Sequence, residues 1–488
     1  MDLHIKGKVF RDEKTLEKYS EDRSPYRIKP KIVAIPRTES DIIEIMKYSR
    51  KNSIPITARC AGSSLSGAAL GDGLVIDFSG MDKIIRMNKN RIRVQPGVIY
   101  DGVNKAMEKL GYFLPYSPSS GSFCTIGGNV GTKASGFRGV KYGSADNYVK
   151  SIRFVDSQAR IIDTSQSLPA DIEESILDLK KKLINDKKAM GILKSRERLK
   201  TSSGYNLWAL YKYKMPEDIV THLLVGSAGT LGLFTEIELE LAPAPKNTIT
   251  CITYFKSLKE AGLAVLKILE LNPSALEIMD SFSLNLIREH ADIPEQSRAV
   301  LLVEFDYNLV QSEKRLKEIL NEHAIEYAVE TKPERQEKLW NIRKSMLSII
   351  EERHEKSVSF VDDVGVPVEH LTDLIQDLQK IFQRNDTKAV MYGHAGEGNL
   401  HVRPLTSWID KTKIKKLADE CMRAVFKYQG TVTAEHGSGR NRAPYLKSEW
   451  GDNIYSYFIH VKKLFDPDNL LNPDIMFSGN DITEYMKY

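Results

Sequence analysis

The sequence predicts an α+β protein of two or three domains, and three observations support this prediction. At 488 residues the chain is too long to fold around one compact core. Its first 160 residues alternate helix and strand signals, which indicates an α/β or α+β domain. From about residue 247 to 430 the pattern runs strand, helix, strand, helix, which is typical of an antiparallel sheet backed by helices.

The N-terminal elements follow from local periodicity and capping. Residues 38–53 place Thr38 and Asp41 at capping-box spacing ahead of one apolar stripe, so we expect a helix there. The stretches IPITAR and GLVIDF, on either side of a glycine-rich turn, are expected to form short strands. A further strand in RIRVQPG is expected to lead into the helix IYDGVNKAMEKLG.

The domain boundaries follow from shifts in composition. Residues 166–200 are rich in lysine with heptad-like apolar spacing, which predicts a solvated helical insertion on the surface rather than a partner-binding helix. Strand signals return in THLLVGSAGTLGLFTEIELELAP, and the following APAPKN marks a boundary. We expect an N-terminal domain over 1–246, a cap domain over 247–430 and a C-terminal segment over 431–488.

The composition excludes several classes of protein. It is 41% hydrophobic and 28% charged, as in a soluble globular protein, and the net charge of +5 gives no indication of nucleic-acid binding. Four scattered cysteines argue against a disulfide framework and an iron–sulfur cluster. No apolar run of about 18 residues occurs, so no membrane span is expected, and the charged first 20 residues contain no apolar core of signal-peptide length. We expect a cytoplasmic protein, with peripheral attachment to the inner face of the membrane left open.

Three segments are too rich in glycine and small hydroxyl residues to be ordinary loops. They cover residues 59–73, 118–143 and 225–236. Small side chains let successive backbone N–H groups approach a ligand and form a concavity for a pyrophosphate. Tight turns would explain one such segment but explain three poorly. Since neither GxxxxGK[ST] nor a strand-borne GxGxxG occurs, a dinucleotide would be held in a non-Rossmann manner.

The stretch MYGHAGEGNLHVRPL, residues 391–405, concentrates His394 and His401 between strand-like flanks. Its three glycines argue against a helix. We therefore expect a bent backbone that brings both histidines toward one point. A metal site, a phosphate-cradling loop and a polar turn are all compatible with this stretch taken alone.

Segments along the whole chain resemble a known flavoprotein family, in family order. Four resemble the FAD-binding segments of the PCMH-type (vanillyl-alcohol oxidase) superfamily: IPITARCAGSSLSGAALGDGLVIDFSGMDKI, PSSGSFCTIGGNVGTKASGFRGVKYG, SSGYNLW and VGSAGTLGLFTEIEL. Four more resemble the branch containing D-lactate dehydrogenase, the glycolate oxidase flavoprotein subunit and D-2-hydroxyglutarate dehydrogenase: LWNIRKSM, GHAGEGNLHV, TAEHGSGR and FDPDNLLNP. The resemblance implies a two-lobed FAD-binding domain, an α+β cap domain with an antiparallel sheet, and a C-terminal helical segment that packs on the FAD domain.

The resemblance also implies the FAD contacts. Serine stands where some relatives attach the flavin through a histidine, so FAD is expected to be non-covalent. The residues that match the diphosphate site are Ala61, Gly62, Ser63, Ser64, Leu65 and Gly67. Those along the flavin and ribityl chain are Pro118, Ser119, Thr125, Gly127, Gly128, Asn129 and Gly136, and those in a later contact near the adenine are Gly229, Thr230 and Leu231.

The family's metal ligands correspond to His394, His401 and Glu435, and its general base corresponds to His436. Two histidines and one carboxylate leave coordination positions open, as in catalytic metal sites. Adjacent side chains on an extended backbone point opposite ways, so we expect Glu435 and His436 to separate into ligand and base. Zinc and manganese are the expected metals.

Two further residues match substrate-side positions of the family. Arg343 matches the arginine that clamps the substrate carboxylate, where a planar fork suits a planar anion. Asn399 falls on a position that contacts the substrate or supports the residues that do. The implied reaction removes the hydroxyl proton of a 2-hydroxy acid and transfers hydride from C2 to the flavin, and a metal would lower the pKa of that hydroxyl.

One departure from the family bears on the substrate. Relatives that accept 2-hydroxyglutarate carry a lysine six residues before the proline that matches Pro367, where this chain has Val361. This favours D-lactate or glycolate, with D-2-hydroxyglutarate as the alternative, although Lys356 or another residue could compensate.

The electron acceptor is expected to be a quinone, an electron-transfer flavoprotein, a cytochrome or an iron–sulfur partner subunit. A flavoprotein subunit active only with its partners is an alternative, and a homodimer is left open. A non-redox alkylglycerone-phosphate synthase is disfavoured, because the histidine-rich run of that branch is missing from the sequence.

Overall fold

The computed structural model describes residues 3–288, 293–353, 358–405 and 410–487. The strands are, in chain order, β1 (Lys8–Phe10), β2 (Ile32–Ile35), β3 (Ile56–Arg59), β4 (Leu74–Asp77), β5 (Ile84–Asn88), β6 (Arg91–Val94), β7 (Tyr112–Phe113), β8 (Val149–Val155), β9 (Ile161–Asp163), β10 (Leu233–Glu240), β11 (Ala242–Pro243), β12 (Ile249–Phe255), β13 (Ala275–Asp280), β14 (Ala299–Phe305), β15 (Glu326–Glu330), β16 (Asp362–Gly365), β17 (Ala389–Gly393) and β18 (Asn399–Pro404). The helices are α1 (Glu13–Lys18), α2 (Glu39–Asn52), α3 (Tyr100–Glu108), α4 (Ile126–Thr132), α5 (Gly139–Tyr142), α6 (Ala170–Asn185), α7 (Lys187–Ser195), α8 (Ala209–Lys212), α9 (Pro216–Leu224), α10 (Leu258–Leu269), α11 (Ser281–Ile287), α12 (Leu309–His323), α13 (Pro333–Lys344), α14 (Met346–Arg353), α15 (Leu371–Arg384), α16 (Lys411–Lys427) and α17 (Ala443–Phe465).

The N-terminal part is built on two sheets, which form two lobes. The first has the strand order β1-β2-β4-β3, with β4 parallel to both β2 and β3. The second has the order β5-β6-β10-β8-β9 and is antiparallel. The capping box predicted for α2 is confirmed, because Thr38 and Asp41 each accept from the other's backbone N–H. Mixed sheets and helices of this kind confirm the α+β class.

Two expectations for the N-terminal part need correction. Residues 166–200 are helical as predicted, yet Ile176, Leu179 and Leu183 of α6 are fully buried in the core of the second lobe. The segment is therefore integrated into the fold rather than a solvated insertion. The strand expected from residue 221 begins only at Leu233, because α9 occupies the preceding run. A short buried apolar run fits either a strand or a helix, and Pro216 in the first turn favours the helix.

The cap is a seven-stranded antiparallel sheet in the order β15-β12-β14-β13-β17-β18-β16. Helices α10, α12, α15 and α16 pack on one face of the sheet. The opposite face contacts α11 and α14 and contributes Tyr392 to a second apolar cluster. This confirms the antiparallel sheet backed by helices that the strand and helix pattern predicted.

The C-terminal residues return to the N-terminal part of the chain. Helix α17 buries Trp450, Ile454 and Phe458 in the core of the second lobe. Further along, Asn472 donates its backbone N–H to Ile56 O at 2.7 Å. The segment at 431–437 lies between these contacts and the cap, so it is held at the boundary of the two parts.

The turn between β17 and β18 depends on Gly398. Its φ of +66° lies in the left-handed region, and a Cβ at this position would lie 1.9 Å from Val366 O. We expect Gly398→Ala to lower the free energy of unfolding by about 1–3 kcal/mol, measured by denaturant titration. Gly111 is the matched control, because its φ is +76° but no atom lies within 4 Å of an added Cβ. Equal losses in the two variants would contradict a steric role for Gly398.

Candidate active site

One cleft brings the glycine-rich segments and the histidine cluster together. The cleft has a volume of about 360 Å³. One wall consists mostly of small residues from the loop at 61–65 and from residues 118–136, and another contributes His394, His401 and His436, with the ring centre of Phe137 5.8 Å from that of His394. Small side chains allow the backbone to approach a ligand closely, so the first wall fits a flavin nucleotide. A cofactor lying along it would end beside the histidines.

Most residues predicted to hold FAD line this cleft. They are Ala61, Gly62, Ser63, Ser64, Leu65, Pro118, Ser119, Thr125, Gly127, Gly128, Asn129, Gly136 and Gly229. The other three lie behind its wall: a Cβ on Gly67 would lie 2.8 Å from the ring of Tyr26, and Leu231 is fully buried in the core. Thr230 Oγ1 hydrogen-bonds the hydroxyl of Tyr205 at 2.8 Å. These three residues support the loops of the cleft.

The hairpin formed by β17 and β18 brings His394 and His401 to one point. His394 directly follows β17, and His401 lies within β18 opposite Tyr392. Their Nε2 atoms lie 3.0 and 3.5 Å from the same oxygen, Oε1 of Glu435. The bent backbone expected from the glycine pattern is confirmed.

The segment that carries Glu435 and His436 is not extended. The backbone N–H groups of Ala434, Glu435 and His436 all donate to Asp363 Oδ2, at 3.0, 2.9 and 2.8 Å. Because the backbone curls around this carboxylate, His436 Nε2 lies 3.6 Å from Glu435 Oε1. The expectation that adjacent side chains point opposite ways is therefore wrong here. Asp363, His401, Glu435 and His436 offer atoms within 4.8 Å of one another.

Two distances at Glu435 Oε1 are compatible with a divalent ion, although the four mutually close residues leave out His394. An ion bonds imidazole nitrogen and carboxylate oxygen at about 2.0–2.2 Å, so two of its ligand atoms lie about 3.0–3.5 Å apart. The distances from Glu435 Oε1 to the two histidine nitrogens, 3.0 and 3.5 Å, fall in that range. Burial favours neutral His394, but Glu277 and Glu435 outweigh it and raise the pKa of His394 to about 9. Metal binding must displace that proton, so it tightens as the pH rises.

His436 is oriented by Asp362. Its Nδ1 lies 2.8 Å from Asp362 Oδ2, which leaves Nε2 directed toward Glu435. Asp362 is fully buried and also pairs with Arg403 at 2.6 Å and Arg442 at 3.1 Å. Burial would raise the pKa of Asp362, but these cations hold it below its usual range. Burial likewise opposes protonated His436, but Asp363 and Asp362 raise its pKa above 6.5.

Arg343 reaches the cleft from the end of α13. It is 4% exposed, and its guanidinium lies 4.6 Å from the ring centre of Tyr392 and 5.2 Å from that of Phe137. Its Nη2 atom pairs with Glu277 Oε2 at 2.8 Å. Arg343 is thus a fixed cation on the wall that carries the histidines.

Asn399 does not line the cleft. It is fully buried, and its Nδ2 donates to Asp363 Oδ1 at 2.8 Å and to Val364 O at 3.1 Å. Since Asp363 holds the curl of residues 434–436, Asn399 acts on the site through that carboxylate. This placement favours a role for Asn399 in supporting other residues of the site over direct contact with a substrate.

Lys200 enters the site from the segment expected to be a surface insertion. Its Nζ lies 2.7 Å from Glu397 Oε2 and 2.8 Å from Glu435 Oε2. The next residues run beside the C-terminal segment, where Ser202 N donates to Thr433 O at 3.0 Å. Glu435 therefore directs one oxygen at the histidines and the other at Lys200. A lysine that follows a lysine-rich helical segment carries no sequence signal for this role.

The position at which relatives that accept 2-hydroxyglutarate carry a lysine lies outside the cleft. Val361 is fully buried in the core on the helix-covered face of the cap sheet. Arg403 and Lys344 are cations that do line the cleft, besides Arg343. Lys356, considered as a compensating cation, lies outside the described residues.

Comparisons with known proteins identify both parts of the chain. The family "FAD binding domain" matches residues 30–165, and the family "FAD linked oxidases, C-terminal domain" matches residues 244–475. Glycolate oxidase subunit GlcD of Bacillus subtilis is 29% identical over 94% of this chain and 92% of its own length. D-lactate dehydrogenase of Anaerostipes hadrus is 27% identical over 92% and 89%.

D-2-hydroxyglutarate dehydrogenase of Escherichia coli is 29% identical over 93% of this chain, which spans 49% of that longer relative. Among solved structures, alkyldihydroxyacetonephosphate synthase superposes with a TM-score of 0.67 over 95% of this chain and 82% of its own, at 16% identity, which shows the fold alone. The two family matches and these relatives place FAD binding in the N-terminal part and the oxidase signature in the cap and C-terminal segment. The chain therefore belongs to the FAD-linked oxidases of the PCMH type and is an enzyme of the D-lactate dehydrogenase, glycolate oxidase or D-2-hydroxyglutarate dehydrogenase kind.

Proposed function

We propose that this enzyme oxidises a D-2-hydroxy acid to the 2-oxo acid with His436 as general base, and that D-lactate or glycolate is the substrate. One observation carries the proposal: His436, backed by Asp362, faces Glu435 in a cleft whose other wall matches the FAD-binding segments. A histidine whose other nitrogen is held by a carboxylate keeps one orientation and can accept a proton.

Each residue of the wall has a defined task in this reaction. Oxidation removes the hydroxyl proton and the C2 hydrogen with its electron pair. Arg343 would hold the substrate carboxylate, and His436 Nε2 would take the hydroxyl proton. Asp362 stabilises the imidazolium that results. Bound FAD would supply the hydride acceptor, and a zinc or manganese ion held by His394, His401 and Glu435 would supply a Lewis acid.

The electrons leave to a non-nicotinamide acceptor: a quinone, an electron-transfer flavoprotein, a cytochrome or an iron–sulfur subunit. Support for a partner comes from the relatives, since one is named a subunit of glycolate oxidase and another is about twice as long as this chain. No helix within the described residues has the length and apolar character needed to cross a bilayer. Cytoplasmic location, attachment to the membrane surface and a homodimeric state stay predictions.

Flavin reduction tests the proposal. The purified protein should show a flavin spectrum and bound divalent metal, and a panel of D- and L-2-hydroxy acids should be added without oxygen. We expect D-lactate or glycolate to bleach the flavin and the L-enantiomer of lactate to leave it oxidised. Failure of every D-hydroxy acid to bleach metal-loaded protein would overturn the proposal. Turnover with a dye acceptor would separate an independent enzyme from a subunit that needs its partners.

D-2-hydroxyglutarate is the second candidate substrate. Lys344 lines the cleft together with Arg343 and provides a cation for a second carboxylate. Relatives that carry this substrate in their name align over 93% of the chain. The rate of flavin bleaching per unit concentration of D-lactate and of D-2-hydroxyglutarate decides between the two substrates. A site built for a dicarboxylate lacks one of its carboxylate partners when the shorter acid binds.

The acid limb of the pH profile should report His436. Only neutral imidazole accepts a proton, so kcat/KM is expected to rise with pH through the pKa of His436, which Asp363 and Asp362 raise against the effect of burial. Removing one carboxylate lowers that pKa, so Asp362→Asn should move the limb to lower pH while flavin content confirms folding. Asp146→Asn is the control, because Asp146 pairs with His222 at 2.7 Å outside the cleft that holds His436. An unmoved limb in Asp362→Asn would contradict His436 as the group observed.

A further inference from the structure

Glu277 joins the two halves of the histidine wall. Its side chain is fully buried on β13. Oε1 lies 2.5 Å from His394 Nδ1, and Oε2 lies 2.8 Å from Arg343 Nη2. A single carboxylate thus contacts both a predicted metal ligand and the predicted anchor of the substrate carboxylate.

The sheet places Glu277 there through strand register. Ile278 of β13 pairs with Gly393 of β17, the residue that precedes His394. Leu276 and Ile278 pack into the helix-covered core. Side chains alternate along a strand, so Glu277 points to the opposite face, where α13 delivers Arg343. The contact is therefore fixed by the cap sheet itself and not by a mobile loop.

The contact with His394 selects which nitrogen faces the metal position. A carboxylate beside Nδ1 accepts the N–H there and leaves the lone pair of Nε2 for a ligand. His394 Nε2 is the atom that lies 3.0 Å from Glu435 Oε1. The guanidinium of Arg343 is flanked by two aromatic rings, and Glu277 supplies the carboxylate that balances its charge. Without Glu277, the imidazole of His394 would lose the partner that orients it, and the guanidinium of Arg343 would lose its counter-ion.

We infer that Glu277 is a positioning residue that sets the metal-facing nitrogen of His394 and the guanidinium of Arg343 at the same time. This inference rests on the proposed function, because it concerns the same metal and the same substrate. It adds that the metal site and the site for the substrate carboxylate share one buried counter-ion, Glu277. A merely structural ion pair would leave both unaffected once the protein has folded.

Glu277→Gln separates these alternatives. Glutamine carries no charge and presents an NH2 group in place of one oxygen, so it cannot both accept from His394 and oppose the charge of Arg343. It also leaves the charge of Arg343 unbalanced beside the metal position. We expect metal affinity in the flavin-loaded protein to fall about 10–100-fold, as for other outer partners of metal-bound histidines. Competition of Zn²⁺ or Mn²⁺ with a chelator measures this directly, without turnover.

Glu304→Gln is the matched control. Glu304 lies on the neighbouring strand β14, is 2% exposed and pairs with Arg138 at 2.8 Å, but no histidine contacts it among the described residues. We expect its variant to bind metal as the wild type does. If Glu277→Gln fails to fold, Glu277→Met combined with Arg343→Met removes the charges together and should still lose about 10–100-fold in metal affinity.

The outcomes distinguish this inference from the proposed function. A wild-type protein that neither binds metal nor bleaches with any D-hydroxy acid would overturn the proposed function. A wild type that does both, together with a Glu277→Gln variant of unchanged metal affinity, would overturn only the positioning role. Equal losses in Glu277→Gln and Glu304→Gln would overturn it as well, since they would mark a general effect of buried charge.

Discussion

His436→Gln is expected to reduce flavin about 10²–10⁴-fold more slowly than the wild type with the same D-hydroxy acid, because glutamine cannot act as a general base at neutral pH. FAD content should stay unchanged, since His436 does not belong to the glycine-rich segments that line the cleft. Anaerobic stopped-flow absorbance of the flavin measures the rate of the chemical step without interference from an electron acceptor.

His222 offers a closely matched control for this substitution. Its Nδ1 likewise contacts a carboxylate, Asp146, at 2.7 Å, but His222 is buried and does not line the cleft. His222→Gln should therefore reduce flavin at the wild-type rate. A normal rate in His436→Gln would remove His436 from the mechanism and leave proton acceptance to another group of the cleft.

Glu435→Gln is expected to lose its divalent metal and, with it, flavin reduction. Its Oε1 is the atom on which the nitrogens of His394 and His401 converge, and Lys200 holds its other oxygen. Loss of a direct ligand should cost more than the about 10–100-fold in affinity that an outer partner costs. Metal content after dialysis and the metal dissociation constant provide the measurement.

Two controls accompany the Glu435 variant. Chelation of the wild type should slow flavin reduction in the same way, and added metal should restore it. Glu304→Gln should keep its metal, because Glu304 lies on the cap sheet away from the cleft. Full metal occupancy in Glu435→Gln would show that Asp363, His401 and His436 hold the ion in its place.

Elements with strong local signals were predictable from the sequence. The capping box of α2 and the alternating strands and helices of the cap are set by contacts within a few residues. The run at 221–224 was misassigned because a short buried apolar stretch carries no periodicity that separates strand from helix. The helices at 170–195 were found, but their burial in the core depends on partners far along the chain.

The candidate site likewise combines residues that the sequence predicted with residues that it did not mark. His394 and His401 share one hairpin, so glycine spacing was enough to predict that they meet. Glu277, Asp362 and Lys200 are isolated charged residues in ordinary surroundings, and no local pattern marks them. They reach the histidines only through the register of β13 with β17, the curl of residues 434–436 around Asp363, and the path of residues 200–203 beside the C-terminal segment.

The sequence by itself determined the class of fold and the family, and it predicted the residues that would bind FAD or metal, because each of these depends on short stretches of sequence. Tertiary structure decided which face of each strand points into the cleft and which carboxylate stands behind each histidine. It also decided that Glu435 and His436 lie on the same side. The physical reason is that pairing and burial of charges depend on distances in space between segments far apart in the chain, such as those of Lys200 and Glu435, which are 235 residues apart.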